Sequence, residues 1–513
     1  MKYIICCFLF LSVKSLPAQV DVKKIRSYVE SQRRQLLKEY ADFLAIPNVS
    51  GDSANIYRNA YFIRDMLAKR GIKAELLTPA IRGAAPVVFG EMKSPGATRT
   101  IAFYAHYDGQ PVNEKNWAPG LSPFQPQLLT DRIDKGGKPV PFPSKDGQID
   151  NNWRLYSRSS SDDKAGVFAL IAGYEALINS GQQPGINIKF FFEGEEEAGS
   201  TNLAAVLADH AKKLAADLWI ICDGPMHPTG RKQIVFGVRG DANVELKVYG
   251  AKRPLHSGNY GNWAPNPAMM LAQLLSTMKD GNGMVTIEGF YDDVIPLTET
   301  EKKAISEIPD LEQQLKGELG IHRPDGNGKP FFELINLPSL NINGIQSANV
   351  GAMAANIIPS VAIAELDLRM VLGNDVTRQI EKLKRHIIKQ GYHITSDEPT
   401  DAERSKYAKI VRLTVVGTSY NAQRTPIDLP IAQAIVKQLQ LTSAEKIILL
   451  PSLGGSLPLY LFEKYLEAKP ITIPVVNYDN NQHAENENII LGFLWEGITS
   501  MATLMARYPT MPH

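Results

Sequence analysis

Cysteine is scarce: the 513-residue chain has three. Cys6 and Cys7 lie in an apolar N-terminal segment, so a processed chain would keep Cys222 alone. That excludes an intrachain disulfide and leaves packing to hold the fold. Neither sign of charge is in excess, with 55 Lys plus Arg against 54 Asp plus Glu. Nothing global therefore argues for nucleic acid or an anionic membrane as partner. Apolar runs of membrane-spanning length are missing too, since the N-terminal one, Tyr3 to Val13, is too short to cross a bilayer. Function has to be sought in local clusters, on a chain long enough for two domains or more.

Lys2, the apolar run and Ser15-Leu16-Pro17-Ala18 together are similar to a secretory signal peptide over residues 1–18. Cleavage near Ala18 would leave an exported protein, periplasmic or extracellular.

The stretch Ile188 to Ser200, Ile-Lys-Phe-Phe-Phe-Glu-Gly-Glu-Glu-Glu-Ala-Gly-Ser, shows where to look. Its apolar half suits a strand buried on both faces, as in a parallel sheet covered by helices. Its acidic half, with Glu193, Glu195, Glu196 and Glu197, would lie at the strand's carboxyl end, where open α/β sheets bind ligands. Two more apolar strands end the same way. Thr98 to Ala105 runs into His106-Tyr107-Asp108, and residues two apart share a face, so Asp108 can fix the tautomer of a metal-ligating His106. Asp217 to Cys222 ends in Asp223, and alternation turns Cys222 towards the core. A further acidic pair, Asp162-Asp163, precedes the helical pattern Val167 to Ser180, where one of the two can cap the helix.

The rest of the chain supplies a frame. Amphipathic helices are expected over Val22 to Ala45 and Ile56 to Arg70. Residues 113–152, rich in Pro, Gly, Lys and Asp, read as a long surface loop anchored by Trp117 and Phe124. From Gly240 the pattern changes to β-α-β-β-α-β, with a polar insertion from Asp280 to Lys329, which suits a ferredoxin-like α+β sandwich. The α/β pattern resumes after Arg424 and includes the loop Gly454-Gly455-Ser456 and the run Asn481-Gln482-His483-Ala484-Glu485-Asn486-Glu487. The fold class is therefore α/β, with a mostly parallel central sheet over residues 19–239 and 423–513 and an inserted α+β domain over 240–422.

Gathered at strand ends are His106, Asp162, Glu196 or Glu197, Asp223 and His483. Borderline cations such as zinc favour such a mixture of imidazole and carboxylate. Two metals ~3.5–4 Å apart need one shared carboxylate, with one histidine and one further acid each, and the inventory matches that count.

These motifs, in this order, make the chain resemble the dinuclear zinc metallopeptidase family that includes carnosinase, cytosolic nonspecific dipeptidase, aminoacylase and bacterial glutamate carboxypeptidases. The resemblance spans nearly all the mature sequence. It implies a zinc-peptidase catalytic domain, two Zn2+ (Mn2+ or Co2+ as alternatives), and an inserted lid and dimerisation domain joining a homodimer. His106, Asp162, Glu197, Asp223 and His483 would bind metal, with Asp162 bridging. Asp108 would orient His106, and Glu196 would be the general base, with Glu195 the runner-up. His256, in Leu255-His256-Ser257-Gly258, resembles a lid histidine that reaches a neighbouring subunit's active site to stabilise the oxyanion. Asn356 and Arg369 match positions that hold the substrate carboxylate, and Gly455 and Ser456 a further substrate loop. The family's Gly-Arg-Gly before the bridging acid is here Ser157-Arg158-Ser159. Asp at position 223 goes with dipeptidases rather than acylases, so the expected function is hydrolysis of short peptides. N-acyl amino acid amidohydrolase, carboxypeptidase and a non-catalytic peptide binder are the alternatives.

Overall fold

A computed structural model describes residues 20–79, 81, 83–144, 147–455 and 457–508. Its centre is an eight-stranded sheet. In spatial order the strands are Lys73–Leu77, Val87–Met92, Asn187–Glu193, Thr100–His106, Leu218–Ile221, Pro470–Thr472, Gln233–Val235 and Ile448–Leu450. The sheet is mixed, and its middle is parallel: Thr100–His106 runs alongside both Asn187–Glu193 and Leu218–Ile221.

The apolar strands are buried on both faces. Ile101, Phe103, Ala105, Phe190 and Phe192 join one core with the helices Val22–Leu44, Lys164–Asn179 and Leu491–Met505. Ala102, Tyr104, Phe191 and Trp219 turn the other way and pack with Leu203, Val206 and Phe462. Period-2 alternation therefore sends successive side chains into two different cores rather than into core and solvent. Cys222 is fully buried in the first core. In-register pairing sets His106 opposite Glu193. On the other side Tyr104 pairs with Ile221, so Asp223 emerges at the same level. The polar strand ends are side by side because the strands are in register.

A second sheet has the order Ser339–Gln346, Val361–Met370, Gly240–Tyr249, Ile410–Tyr420 and His393–Thr395. Two of its inner strands, Gly240–Tyr249 and Val361–Met370, alternate buried and half-buried along most of their length. The helices Pro267–Ser276 and Val376–Lys389 cover the buried face, with Val244, Leu246, Leu271, Leu366, Leu368 and Leu383 in a core of its own.

Two segments are more ordered than their composition predicts. Residues 113–152 contain the strands Gln127–Leu129 and Pro139–Val140, which join Arg154–Tyr156 and Asn488–Ile490 in a small four-stranded sheet. Trp117 is buried in this region. The polar insertion contains the helices Glu299–Ser306 and Glu312–Leu319, followed by Phe331–Ile335. A capping box at Thr298 and Glu301 starts the first of these, and Glu301 also meets Arg424 at 3.0 Å in a buried pair. Both segments lack apolar periodicity and take their order from long-range partners. Among the described residues, no helix is long and apolar enough to cross a membrane.

Candidate metal centre

His106 is nearly fully buried at its strand end. Its Nδ1 faces Asp108 Oδ1 at 3.3 Å, and its Nε2 faces Asp162 Oδ1 at 3.0 Å, Asp223 Oδ2 at 3.8 Å and Glu196 Oε2 at 3.9 Å. The other Asp162 oxygen meets His483 Nε2 at 3.1 Å, and that nitrogen lies 3.4 Å from Glu197 Oε2. One carboxylate thus touches both imidazoles. The His483 side chain is 61% exposed and its backbone is left-handed at φ 60°, so it sits at the rim of the site.

The two acidic neighbours divide their work. Asp163 accepts the His106 backbone N–H at 3.1 Å and the Gly166 N–H at 3.1 Å, capping the Lys164–Asn179 helix. Asp162 faces the histidines. Gly166 is required there, because a Cβ would lie 2.2 Å from the Cys222 carbonyl oxygen. Glu195 turns away from His106 and accepts from the backbone and side chain of Asn202. Glu193 is buried and accepts the Tyr104 hydroxyl at 2.8 Å.

Asp108 does more than orient a ring. It accepts the backbone N–H groups of Glu196 at 3.1 Å and Glu197 at 3.0 Å, and the Ser50 hydroxyl at 2.9 Å. Gln110 donates to Glu197 Oε2 at 2.6 Å. Sequence reasoning missed Glu487 altogether. Its Oε2 accepts from Arg158 Nη1 at 2.8 Å and Ser159 N at 2.9 Å. Its Oε1 accepts from Ser161 N and Oγ and from Asp162 N. The carboxylate is fully buried and clamps the Asp162 loop to the run that carries His483. Only its proximity to His483 in the chain could have pointed to it.

Of the remaining expected residues, His256, Asn356 and Arg369 lie on the second sheet or beside it. His256 is exposed and accepts the Gly258 N–H on Nδ1 at 3.0 Å. Its short strand Leu255–His256 pairs with Ile357–Ile358, and Ser257 N–H donates to the Asn356 carbonyl. Arg369 Nε lies 2.9 Å from Asp367 and 3.5 Å from Asp241. Gly455 is in the loop after Ile448–Leu450, and Ser456 lies outside the described residues.

Charge crowding dominates the site. Burial, reinforced by Asp223 and Glu197 and opposed by His106, holds the Glu196 carboxyl well above its usual range. Burial and Asp162 push Glu197 up to about 7. Burial, opposed by His106 and reinforced by Asp162, pushes Asp223 up to about 6. The Asp162 bond lifts His483 to about 9. Burial disfavours the charged His106 ring, yet Asp108 and Asp162 outweigh it and raise the group well above the ordinary imidazole.

The donor set fits divalent cations. Ligand atoms of His106, Asp162 and Glu197, and likewise of His106, Asp163 and Asp223, all lie within 4.8 Å of one another. Donors ~2.0–2.2 Å from one tetrahedral ion are roughly 3.3 Å apart, close to the spacings that link His106, Asp162, His483 and Glu197.

A mixed α/β sheet whose strand ends converge on such a cluster, with a spare glutamate beside it, defines a metal-dependent hydrolase. Residues 102–507 match the model for peptidase family M20/M25/M40, and the chain belongs to that family. It is 26% identical over 500 residues to a Cys-Gly metallodipeptidase of Candida albicans, covering 93% of this chain and 96% of the relative. It is 24% identical over 492 residues to the human Beta-Ala-His dipeptidase, covering 92% and 90%. Among solved structures, an M20 family metallo-carboxypeptidase from Sulfolobus solfataricus superposes with a TM-score of 0.74 at 29% identity, covering 92% of this chain and 99% of that one.

The comparisons also correct one expectation. The fungal metallodipeptidases are cytosolic enzymes, so the exported, periplasmic or extracellular location expected from the N-terminal segment is not supported. Residues 1–18, expected to be a cleaved signal peptide, lie outside the described residues.

A divalent cation held at this cluster would displace the protons on Glu197, Asp223 and His483. Because these groups lose protons between about pH 6 and 9, affinity for Zn2+ will rise with pH across that window. Titration calorimetry in buffers of different ionisation enthalpy will show proton release on binding. Glu487→Gln turns one acceptor into an amide donor facing backbone N–H groups. It will weaken metal binding by ~10–100-fold, read as metal retained after dialysis against a graded chelator.

Proposed function

We propose that this M20 enzyme is a two-zinc dipeptidase, with Mn2+ or Co2+ as alternative metals, that cleaves short peptides bearing a free C-terminal carboxylate. The observation that carries the reading is Asp162, which meets His106 and His483 through its two oxygens while Glu196 faces His106. His106, Asp162, Glu197, Asp223 and His483 would hold the ions, and Asp108 would keep His106 and the backbone of Glu196 and Glu197 in line. When bound, the ions acidify water and polarise the scissile carbonyl. Glu196 takes the proton from the attacking water and delivers it to the departing amine nitrogen. Its burial beside other acids raises its affinity for a proton, which suits a group that takes one from water and hands it on.

The inserted unit, residues 240–422, would be the lid between the catalytic segments 19–239 and 423–513. Its separate sheet and core support that division. Arg369 and Asn356 would hold the substrate carboxylate, for which a guanidinium fork is suited, with Gly455 and Ser456 lining the other side. His256 would donate to the oxyanion from a second copy of the chain. A homodimer through the lid is supported by the exposed Ile345, Val350, Met353, Val415 and Val416 on and near the uncovered part of its sheet.

Likeness to a metallo-carboxypeptidase keeps cleavage of longer peptides as the second reading. Dipeptides, longer peptides and acetylated amino acids compared on the zinc-loaded enzyme will give the highest kcat/KM on dipeptides; preference for either other class overturns the assignment. Glu196→Gln will lower kcat by ~10²–10⁴-fold with metal content retained. Mixing inactive His256→Ala and Glu196→Gln proteins will restore turnover, since each mixed dimer then has one complete site. No recovery would remove the action in trans.

A further inference from the structure

A cavity of about 270 Å³ lies against the loops that carry the site. Met226 and His227 line it from the turn just after Asp223, and Leu453 and Gly455 from the proposed substrate loop. The opposite wall is Phe332 and Ile335, from the Phe331–Ile335 helix of the polar insertion. Phe332 and His227 stack with ring centres 6.3 Å apart.

Size and chemistry limit the occupant. The volume falls below the ~300–1,000 Å³ of sites that enclose a whole drug-sized ligand, so it suits one side chain. The lining is mainly apolar, and its histidine does not bring in a charge: His227 is buried, and burial and Arg231 pull it down to about 4. Thr229 engages His227 Nδ1, with its hydroxyl at 2.8 Å and its backbone N–H at 3.3 Å. The ring Nε2 has no partner among the described residues.

We infer that this cavity is a specificity pocket that receives one large apolar side chain of the peptide substrate. The inference rests on the dipeptidase reading and adds to it a preference that the metal centre does not encode. Burying an apolar side chain in a fitted pocket discriminates by ~10–200-fold per methylene-scale difference, so the pocket would govern choice among dipeptides of equal backbone.

The test compares kcat/KM for Gly-Gly, Leu-Gly, Phe-Gly, Gly-Leu and Gly-Phe on the zinc-loaded full chain. The wild type will favour one apolar series over Gly-Gly by ~10-fold or more. Phe332→Ala, which opens the wall, and Ile335→Trp, which fills the cavity, will each reduce that apolar to Gly-Gly ratio by ~10-fold. Because one variant empties the space and the other fills it, a folding failure in either leaves the other to decide, with melting temperatures as the control. Equal loss on all five substrates, or no apolar preference in the wild type, overturns the pocket and leaves the dipeptidase reading standing. Absence of wild-type turnover on all five overturns both.

Discussion

Crowded negative charge at one end of the central sheet is the constraint to which the rest of the site answers. Asp108, Asp162, Asp163, Glu193 and Asp223 are all buried there, with Glu196 and Glu197 beside them. Carboxylates withdrawn from water at such spacing cannot all remain ionised unless cations or strong donors compensate. The structure supplies both kinds of compensation. Backbone N–H groups donate to Asp108, Asp163 and Glu487, whose oxygens are directed at loops. The oxygens of Asp162 point at imidazoles, and Glu196 and Asp223 come within reach of His106, which is the arrangement divalent cations require.

The division between structural and chemical acids explains the local architecture. Glu487 holds the Asp162 loop through five hydrogen bonds, and Asp108 holds the Glu196–Glu197 turn. Each clamp joins segments far apart in sequence, so the site is assembled only when the sheet and both loops are in place. The Ser157-Arg158-Ser159 variant of the usual glycine-flanked arginine fits this scheme. Arg158 pairs with Glu487, and Ser159 adopts a positive φ of 59° while donating its N–H to the same carboxylate. The second sheet has an independent core and carries Arg369, which pairs with Asp367 and Asp241.

Much of this was legible along the chain. Phe190, Phe191 and Phe192 announced a strand buried on both faces, and His106, Glu193 and Asp223 marked strand ends because a change from apolar to polar residues is a local signal. The choice within acidic pairs was not legible. Asp162 and Asp163 have the same chemistry, and only the cap at Gly166 separates them. Glu195 turns to Asn202 for a reason no periodicity expresses. The helices of the polar insertion and the small sheet formed with residues 127–140 were missed because their order comes from distant partners rather than from an apolar stripe.

By itself the sequence determined the order of the periodic helices and strands, the burial of the central strands on both faces and the inventory of imidazoles and carboxylates, since these follow from side-chain periodicity and composition. Tertiary structure decided which acid faces which nitrogen, that Glu487 fastens one loop to another, and that Phe332 of the insertion closes a cavity beside Gly455. Those are distances between residues far apart in the chain, 56 positions in one case and 325 in another. They depend on strand register and loop closure, and neither is encoded in any short window of the chain.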